Sequence, residues 1–386
     1  MNKKFLYFLA AGHLSVDINS GSLPAVLPFF VTEYGMDYTE VAGLMFASSF
    51  LSSVIQPIFG WLADRGSRQW FMGLGILMSG LSMALTGFLS DYWAIFAAVT
   101  MMGIGGAIFH PEAARMVNAV SGENRGQGMS IFSVGGNGGF GFGPLLAVFL
   151  LSTFGMKGTA FYGITSLIMG LTMLVLAPRI RAAAEEDKRT AGAKSKEAGT
   201  NDWSAFSKLT LVILFRSTVF TSISSFLPLY CIMVLGTSHA VGSATLSIIS
   251  ISGVFATLVG GWFSDRKGYV KTLRYSCCLL VPCLAVAVFS GHIWAVYAML
   301  IPMSFAMQGP YAAFVVLGQS YLAKSIGFAS GITLGLSFSV GGIIVPVLGK
   351  YADTYGIYSV MVLVVIISAA AAASTFLLPK PKNTCK

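Results

Sequence analysis

Three ionisable side chains stand close together inside an apolar run at residues 93–117. They are His110, Glu112 and Arg115, and they fall within six residues of the chain. A charged side chain at the centre of a membrane-spanning helix costs roughly 2.5–3.5 kcal/mol, so its presence there points to a function. In a water-accessible cavity, a carboxylate and an imidazole can take up and release protons, and proton transfer is therefore the chemistry that these residues suggest.

A second titratable pair occurs earlier in the chain, at His13 and Asp17. Residues four apart lie on the same face of a helix, so these two side chains can contact each other. In water a histidine titrates at about pH 6.5 and an aspartic acid at about pH 3.9. The pair is a candidate for proton coupling or substrate contact. The alternative is a hydrogen bond that only steadies the helix.

Helix geometry separates the groups of the first segment. His110 and Glu112 are two residues apart, about 200° around a regular helix, so both face one cavity only if Pro111 distorts the turn. Glu112 and Arg115 are three apart and can pair directly. That pair is either a structural ion pair or a switch in which protonation of Glu112 frees Arg115. The predicted proton-coupling residues are Asp17, His13, Glu112 and His110.

Arg216 is the basic residue that lies well inside the apolar runs of the second half of the chain. In a low-dielectric cavity an arginine offers an anion both a charge and a planar set of donors. The alternative is an arginine that snorkels to the membrane surface, since Lys208 marks a nearby helix end. Polar residues elsewhere in the apolar runs either bind a ligand or bridge helices. The predicted substrate-binding residues are Arg216, Arg115, Asn137 and Gln308.

Membrane-spanning helices must position these residues, and the composition predicts such helices. The chain has 386 residues, of which 55% are hydrophobic and 10% are charged. A soluble domain carries about 25% charged residues, and a span needs about 20 apolar ones. We predict an all-α integral membrane protein with twelve spans, at residues 5–31, 39–63, 70–90, 93–117, 126–153, 158–178, 208–235, 241–264, 270–290, 293–321, 326–350 and 355–378.

The net charge of +9 is distributed unevenly. Alternate loops and the two tails carry most of the basic residues, whereas the opposite loops carry Lys157 and Lys350. This positive-inside pattern predicts that both termini and the connection at 179–207 are cytoplasmic. The surplus of positive charge therefore indicates topology and contact with anionic lipid headgroups, and it does not indicate a nucleic-acid partner.

Several familiar motifs are absent from the sequence. The N-terminal Met-Asn-Lys-Lys imitates a signal peptide, but the apolar run continues to Val31, so we expect an uncleaved first span. The five cysteines form no CxxC pair, which favours apolar packing residues and no metal site. The sequence has no P-loop, so ATP is not the expected energy source. We expect no cofactor.

The chain contains an internal repeat. Gly-Trp-Leu-Ala-Asp-Arg at 60–65 recurs as Gly-Trp-Phe-Ser-Asp-Arg at 261–266, an offset of 201 residues. Parallel repeats related by an axis along the membrane normal are a known plan for transporters. Glycines that cluster before Pro144 predict a tightly packed and bendable fifth span. We predict two pseudo-symmetric six-helix bundles, at 1–178 and 208–386, joined by a cytoplasmic linker at 179–207.

Residues 60–68, Gly-Trp-Leu-Ala-Asp-Arg-Gly-Ser-Arg, resemble the signature loop between the second and third helices of the major facilitator superfamily. The repeat of this motif at 261–268 supports the resemblance. Gln69 departs from it, because the superfamily often has a basic residue there. The resemblance implies that Asp64 helps to latch the two halves together in the outward-open state. The predicted gating residues are Gly60, Asp64, Arg65, Arg68, Asp265 and Arg266.

A closer resemblance is to the fosmidomycin-resistance branch of that superfamily. The residues that carry it are His13 with Asp17 and the segments 109–115, 130–137 and 143–146. That branch consists of proton-coupled exporters of the bacterial inner membrane. In the second half the chain departs from the motif of the first half, because Gln308-Gly-Pro-Tyr contains no His-Pro-Glu.

Together the residues and the resemblance predict a proton-coupled antiporter that exports a small, drug-like anion, such as a fosmidomycin-type phosphonate, by alternating access. The alternative is a proton-coupled importer of a small organic anion, because the same residues serve symport. A ligand sensor would need a signalling domain, and an enzyme would need a nucleophile–base pair or a metal set; neither is found. We expect a monomer in the bacterial inner membrane, with protons, substrate and lipid as its partners.

Overall fold

The structure is a computed structural model that describes residues 2–66, 68–190 and 200–381. Helices account for nearly all of these residues, and one isolated antiparallel bridge joins Asn201 to Leu322. Short 3-10 turns follow the third and fifth helices. The helices are α1 (Lys3–Tyr34), α2 (Tyr38–Arg65), α3 (Trp70–Leu85), α4 (Tyr92–Val120), α5 (Arg125–Phe154), α6 (Ala160–Thr190), α7 (Trp203–Met233), α8 (His239–Lys267), α9 (Tyr269–Phe289), α10 (Ile293–Gln308), α11 (Tyr311–Tyr321) and α12 (Ile326–Thr375).

The described residues confirm the prediction of an all-α, multi-pass protein. Ten of their helical stretches are long and apolar enough to cross a membrane, and the stretch Arg125–Glu185 contains both α5 and α6. The predicted span 293–321 is divided into α10 and α11 just before and after Pro310, which has no backbone N–H to continue the helix. The last two predicted spans both lie in α12, whose backbone breaks at Gly356 with a φ of 82° that glycine adopts readily.

The predicted connection at 179–207 is shorter in the structure than the sequence pattern indicates. Helix α6 continues to Thr190, and an exposed ion pair between Arg181 and Glu185 supports its last turns with an N···O distance of 2.8 Å. Helix α7 already begins at Trp203, where the side chain of Asp202 caps it. The rest of the connection, residues 191–199, lies outside the described part of the chain.

The chain folds into two compact units, Met1–Gly199 with Ala323–Gly335 and Thr200–Leu322 with Leu336–Lys386. In the first unit, α1 packs against α5 at a distance that only glycine permits. A Cβ atom added at Gly135 would lie 2.0 Å from the carbonyl oxygen of Ala10, and one at Gly143 would lie 2.8 Å from the backbone nitrogen of Ser22. The close packing expected of the glycine-rich fifth span is therefore present, and it brings α5 directly against the face of α1.

The second unit contains α7 to α11 and the later part of α12 around an apolar core. Buried residues of this core include Ile223, Leu300 and Val364, which come from α7, α10 and α12. The hydroxyl of Ser217 donates a hydrogen bond of 3.1 Å to the carbonyl oxygen of Leu336. These contacts fix α7, and with it the side chain of Arg216, inside the unit.

Candidate functional site

The first unit brings His13, Asp17 and His110 together as one buried triad. Oδ2 of Asp17 lies 3.0 Å from Nε2 of His13, and Oδ1 lies 3.0 Å from Nε2 of His110. The side chains of His13 and Asp17 are 5% and 8% exposed, whereas that of His110 is 18% exposed. The structure therefore joins three of the four predicted proton-coupling residues, from α1 and α4, in a single hydrogen-bonded group.

Helix α5 holds this triad in place from the other side. Nδ1 of His13 lies 2.8 Å from the carbonyl oxygen of Phe132. The two rings stack with their centroids 4.0 Å apart and an angle of 19° between their planes. One turn further along α5, Gly136 leaves the space that the triad fills, because an added Cβ atom would come within 2.7 Å of both His13 and Asp17. The triad therefore depends on the register of α5 against α1.

Glu112 lies apart from the triad because α4 continues as one helix through Pro111. With a regular helix, positions 110 and 112 face different directions. Glu112 is fully buried and pairs with Arg115, whose Nε and Nη2 donate to the two carboxylate oxygens at 2.8 and 2.7 Å. This two-pronged geometry is among the strongest ion-pair arrangements. The predicted proton-coupling residues thus form two clusters, and Pro111 does not merge them.

Asp64 caps a helix in the first unit. Its carboxylate accepts hydrogen bonds from the backbone N–H groups of Gly327 at 2.7 Å and Phe328 at 2.8 Å, in the first turn of α12. A carboxylate there satisfies free backbone donors and interacts favourably with the helix dipole. Arg115 lies close enough to Asp64 to interact with it electrostatically. The cap and the Glu112–Arg115 pair therefore belong to one charged network.

The repeated motif is not used in the same way in its two copies. Gly60 lets α2 approach α12 closely, since an added Cβ atom would lie 2.2 Å from the carbonyl oxygen of Gly327. Asp265, which corresponds to Asp64, instead accepts a hydrogen bond of 2.9 Å from the hydroxyl of Tyr269 on the following helix. The helix-capping role therefore belongs to the first copy of the motif.

The arginines of the two motif copies lie over aromatic rings. In both copies the arginine that follows the aspartate stacks on the tryptophan of the same motif, which is a favourable cation–π arrangement. This shared contact is local and supports the internal repeat. The distances from guanidinium carbon to ring centroid are 3.7 Å for Arg65 over Trp61, 4.2 Å for Arg266 over Trp262 and 5.7 Å for Arg68 over Phe71.

Arg216 is buried in the second unit, with 8% of its surface exposed. Its Nη2 donates to the carbonyl oxygen of Met307, and its guanidinium lies 5.3 Å and 5.6 Å from the ring centroids of Phe220 and Phe314. Within the described residues its Nε has no hydrogen-bond partner and no carboxylate pairs with it. The guanidinium is therefore enclosed by side chains of the second unit, and it retains donors that an anion could use.

The two predicted polar contacts occupy different settings. Nε2 of Gln308 donates a hydrogen bond of 3.0 Å to the carbonyl oxygen of Ile249, and so Gln308 bridges α10 to α8. Asn137 is exposed on α5, and the described residues give its amide no partner. Gln308 therefore bridges two helices, which is the alternative to ligand binding. The amide of Asn137 remains available for a ligand.

The triad also contains the donor atoms that a metal ion prefers. Within the described residues, His13, Asp17 and His110 form the one group of His, Cys, Asp and Glu whose donor atoms all lie within 4.8 Å of one another. Each carboxylate oxygen already lies at hydrogen-bond distance from a ring nitrogen. In the structure the three side chains therefore form a hydrogen-bonded group.

Comparison with known proteins identifies the family of the chain. The sequence model of the Major Facilitator Superfamily matches residues 9–346. The chain belongs to this superfamily. The uncharacterised MFS-type transporter YfnC of Bacillus subtilis (strain 168) is 26% identical over 380 residues, which is 97% of this chain and 92% of that protein. The fosmidomycin resistance protein of Escherichia coli (strain K12) is 26% identical over 351 residues, which is 89% of this chain and 85% of that protein.

The solved structures agree on the fold. The crystal structure of the human organic anion transporter MFSD10 covers 96% of this chain, and the chain covers 98% of it, with a TM-score of 0.74 at 18% identity. The predicted superfamily and its multi-pass helical fold are therefore confirmed. This member of the superfamily is a membrane transporter and not an enzyme.

Two elements of the site in this superfamily member were not assigned from the sequence. They are the carbonyl of Phe132 with the space at Gly136, and the backbone donors that Asp64 finds in α12. The glycine cluster of the fifth span was a signal for the first, since it predicts close packing. It did not identify which glycine faces His13, because that depends on the register between α1 and α5.

Proposed function

We propose that this chain is a proton-coupled antiporter that exports a small, drug-like anion from the cytoplasm by alternating access. The observation that carries the proposal is the buried triad of His13, Asp17 and His110. Burying a carboxylate between two imidazoles within membrane-spanning helices is costly, and apolar side chains of similar volume would stabilise those helices at least as well. Proton binding and release give the triad a function that apolar residues could not perform.

The proton gradient is the energy source that suits these residues. Moving one charge through a membrane potential supplies about 2.3 kcal/mol per 100 mV, in addition to the pH difference. Of the triad residues, His110 is the most exposed and offers a route for proton exchange. Protons move into the cell and substrate moves out, and both pass through the same alternating-access pathway.

Arg216 supports an anionic substrate. It is a buried cation without a carboxylate partner in the described residues, and its Nε is unsatisfied. A phosphonate or carboxylate entering an apolar cavity needs both a positive charge and hydrogen-bond donors, which a guanidinium provides. The name of the fosmidomycin resistance protein, a relative over 89% of this chain, supports a fosmidomycin-type phosphonate or a similar compound as substrate. Asn137 and Arg115 are further candidates for contact with it.

Asp64 supports the gating part of the proposal. Its two hydrogen bonds to the start of α12 are formed in this structure, and a transporter that alternates between states can break and re-form such a cap. We assign Gly60, Arg65 and Arg68 to the same gate, together with Asp265 and Arg266 of the repeat. We also propose a monomer in the bacterial inner membrane with both termini in the cytoplasm, since the basic residues follow the positive-inside pattern.

Transport by purified protein in liposomes tests the proposal, with fosmidomycin as the probe. Antiport predicts accumulation of fosmidomycin when the lumen is more acidic than the bath, because protons that leave drive substrate in, whichever way the protein is inserted. A proton-exchanging ionophore should abolish this accumulation. Accumulation with an alkaline lumen would instead indicate symport, and hence an importer. Uptake that ignores the gradient would contradict proton coupling.

A further inference from the structure

The two ring nitrogens of His13 have different and fixed surroundings. Nδ1 lies 2.8 Å from the carbonyl oxygen of Phe132, and Nε2 lies 3.0 Å from Oδ2 of Asp17. A carbonyl oxygen only accepts hydrogen bonds, so Nδ1 must carry a hydrogen. In a neutral ring with hydrogen on Nδ1, Nε2 is itself an acceptor. Two acceptors would then face each other at 3.0 Å, which is unfavourable unless a proton lies between them.

We propose that His13 and Asp17 together hold one shared proton between Nε2 and Oδ2, and that Gly136 is the positioning residue that makes this arrangement possible. The inference rests on the proposed function, in which this triad is the coupling site. The proton is accounted for in two equivalent ways, as imidazolium with carboxylate or as neutral imidazole with carboxylic acid. Both descriptions contain the same number of protons and give the pair no net charge.

Gly136 acts through the space that it leaves. A Cβ atom at this position would lie 2.5 Å from Cε1 and 2.6 Å from Nε2 of His13, and 2.7 Å from Oδ2 of Asp17. The shared proton lies between two of these atoms, Nε2 and Oδ2. Phe132 precedes Gly136 by one helical turn and supplies both the stacked ring and the accepting carbonyl. Helix α5 thus provides a ring, an acceptor and a gap in consecutive turns, and together they orient His13.

His110 has a different role in the same group. Its Nε2 lies 3.0 Å from the other oxygen of Asp17, where an ordinary neutral ring can donate, and its side chain is more exposed than those of the other two. Helices α2 to α6 all pack against α1. Among their described side chains, the titratable group that interacts with Asp17 is His110. Asp64, Arg115 and Arg181 interact instead with Glu112, in the separate charged cluster.

Loss of the shared proton has a mechanical consequence. The lone pair of Nε2 and a full carboxylate charge would then repel across 3.0 Å inside a space with little water. Since the carbonyl of Phe132 holds Nδ1, the ring cannot simply reverse its nitrogens. Either the carboxylate of Asp17 turns away from Nε2, or the ring leaves the carbonyl of Phe132 and turns. The second movement breaks a contact between α1 and α5, and we include it in the proposal. Proton release is thereby linked to helix motion at the glycine-lined contact between these helices.

Nitrogen NMR of the histidines tests the inference without any substrate. The chain has four histidines, and the signals of His13 are identified by their loss in His13→Gln. In wild-type protein we expect Nδ1 of His13 to carry a hydrogen, and we expect Nε2 to give a signal displaced from that of a bare ring nitrogen toward that of a protonated one. A bare Nδ1, or an Nε2 signal typical of a bare nitrogen, would overturn the inference.

Two alanine variants of α5 add a functional readout. Gly136→Ala fills the space beside His13, whereas Gly141→Ala is a matched control, because an added Cβ atom at Gly141 meets nothing within 4 Å. We expect Gly136→Ala to lose the fixed Nδ1 proton and gradient-driven accumulation of fosmidomycin, while exchange of fosmidomycin without a gradient continues. Gly141→Ala should match wild type in all three measurements.

The outcomes are distinguishable. Unchanged coupling in Gly136→Ala would refute the positioning role. If Gly136→Ala fails to fold, the NMR result on wild-type protein still decides whether the proton is fixed as proposed. If wild-type protein does not transport fosmidomycin but His13 shows the expected signals of both Nδ1 and Nε2, the proposed substrate fails and the shared proton stands.

Discussion

Removal of Arg115 alone should destabilise the protein strongly, because it leaves a buried carboxylate without a counter-ion. The side chain of Glu112 is 0% exposed and that of Arg115 is 21% exposed, with 2.7 Å between Nη2 and Oε1. Breaking a buried ion pair by removing one partner costs about 3–5 kcal/mol. Arg115→Ala should therefore lower the free energy of unfolding by an amount of this order.

The chain offers a matched control in the pair of Arg181 and Glu185. Its N···O distance of 2.8 Å is nearly the same, but the two side chains are 44% and 53% exposed. Exposed pairs contribute about 0–1 kcal/mol. Arg181 also interacts with Glu112, but this is the smallest of the interactions given for that carboxylate, so Arg181→Ala should have a small effect. A double variant, Glu112→Gln with Arg115→Met, removes both charges while keeping their approximate volume. It should recover most of the stability that Arg115→Ala loses.

Thermal unfolding in detergent measures the difference, and the protein carries its own reporters. Cys231, Cys277 and Cys283 are buried free thiols, so a thiol-reactive fluorogenic dye labels them only on unfolding. Cys278 is exposed, and Cys385 lies outside the described residues, so both are replaced by serine in all variants. Equal shifts in melting temperature for Arg115→Ala and Arg181→Ala would refute the reasoning, because the burial of Glu112 would then have no energetic consequence.

Three further predictions follow from the site. Asp64→Ala removes two charge-assisted hydrogen bonds to backbone N–H groups and should lower the free energy of unfolding by at most about 1.5–3 kcal/mol for each bond. Asp265→Ala removes a hydrogen bond to the hydroxyl of Tyr269 and should cost less in the same unfolding assay. Arg216→Ala should weaken the binding of fosmidomycin at least tenfold, as measured by calorimetry, and should leave the affinity for a neutral analogue almost unchanged. Arg216→Lys should keep part of the affinity for fosmidomycin, because the charge remains. Equal losses for both ligands would make Arg216 a packing residue. A reporter that is active only in the periplasm should be silent when it is fused after Lys386, and strong activity would reverse the proposed topology.

The fold was largely predictable from the sequence because a membrane protein repeats one simple signal. Runs of about 20 apolar residues separated by charged loops predict spanning helices directly. The ends of the elements were less predictable. Pro310 divides one predicted span into two helices, and Gly356 breaks the backbone of α12 near the start of the last predicted span. Residues 179–190 form the end of α6, but they are polar, and so a search for apolar periodicity does not predict this part of the helix.

The candidate site was predictable in its residue types and only partly in its contacts. Helical spacing correctly pairs His13 with Asp17 and Glu112 with Arg115, because both pairs lie within one turn of a helix. The contact of His110 with Asp17 joins residues 93 positions apart, and no local pattern determines it. The same holds for Asp64, whose backbone partners lie more than 260 positions away. Contacts of this kind depend on how helices pack.

Proton movement caused by substrate tests the central claim most directly. Wild-type protein and Asp17→Asn are reconstituted into liposomes that contain a pH-sensitive dye, with no imposed gradient, and fosmidomycin is added outside. The amide keeps the shape of the carboxylate but cannot exchange a proton. The account predicts that fosmidomycin entering the wild-type liposomes drives protons out, so the lumen becomes more alkaline, and that the lumen of Asp17→Asn liposomes keeps its pH although the variant is folded. Equal alkalinisation in both would contradict the account, because a proton would then be exchanged without Asp17.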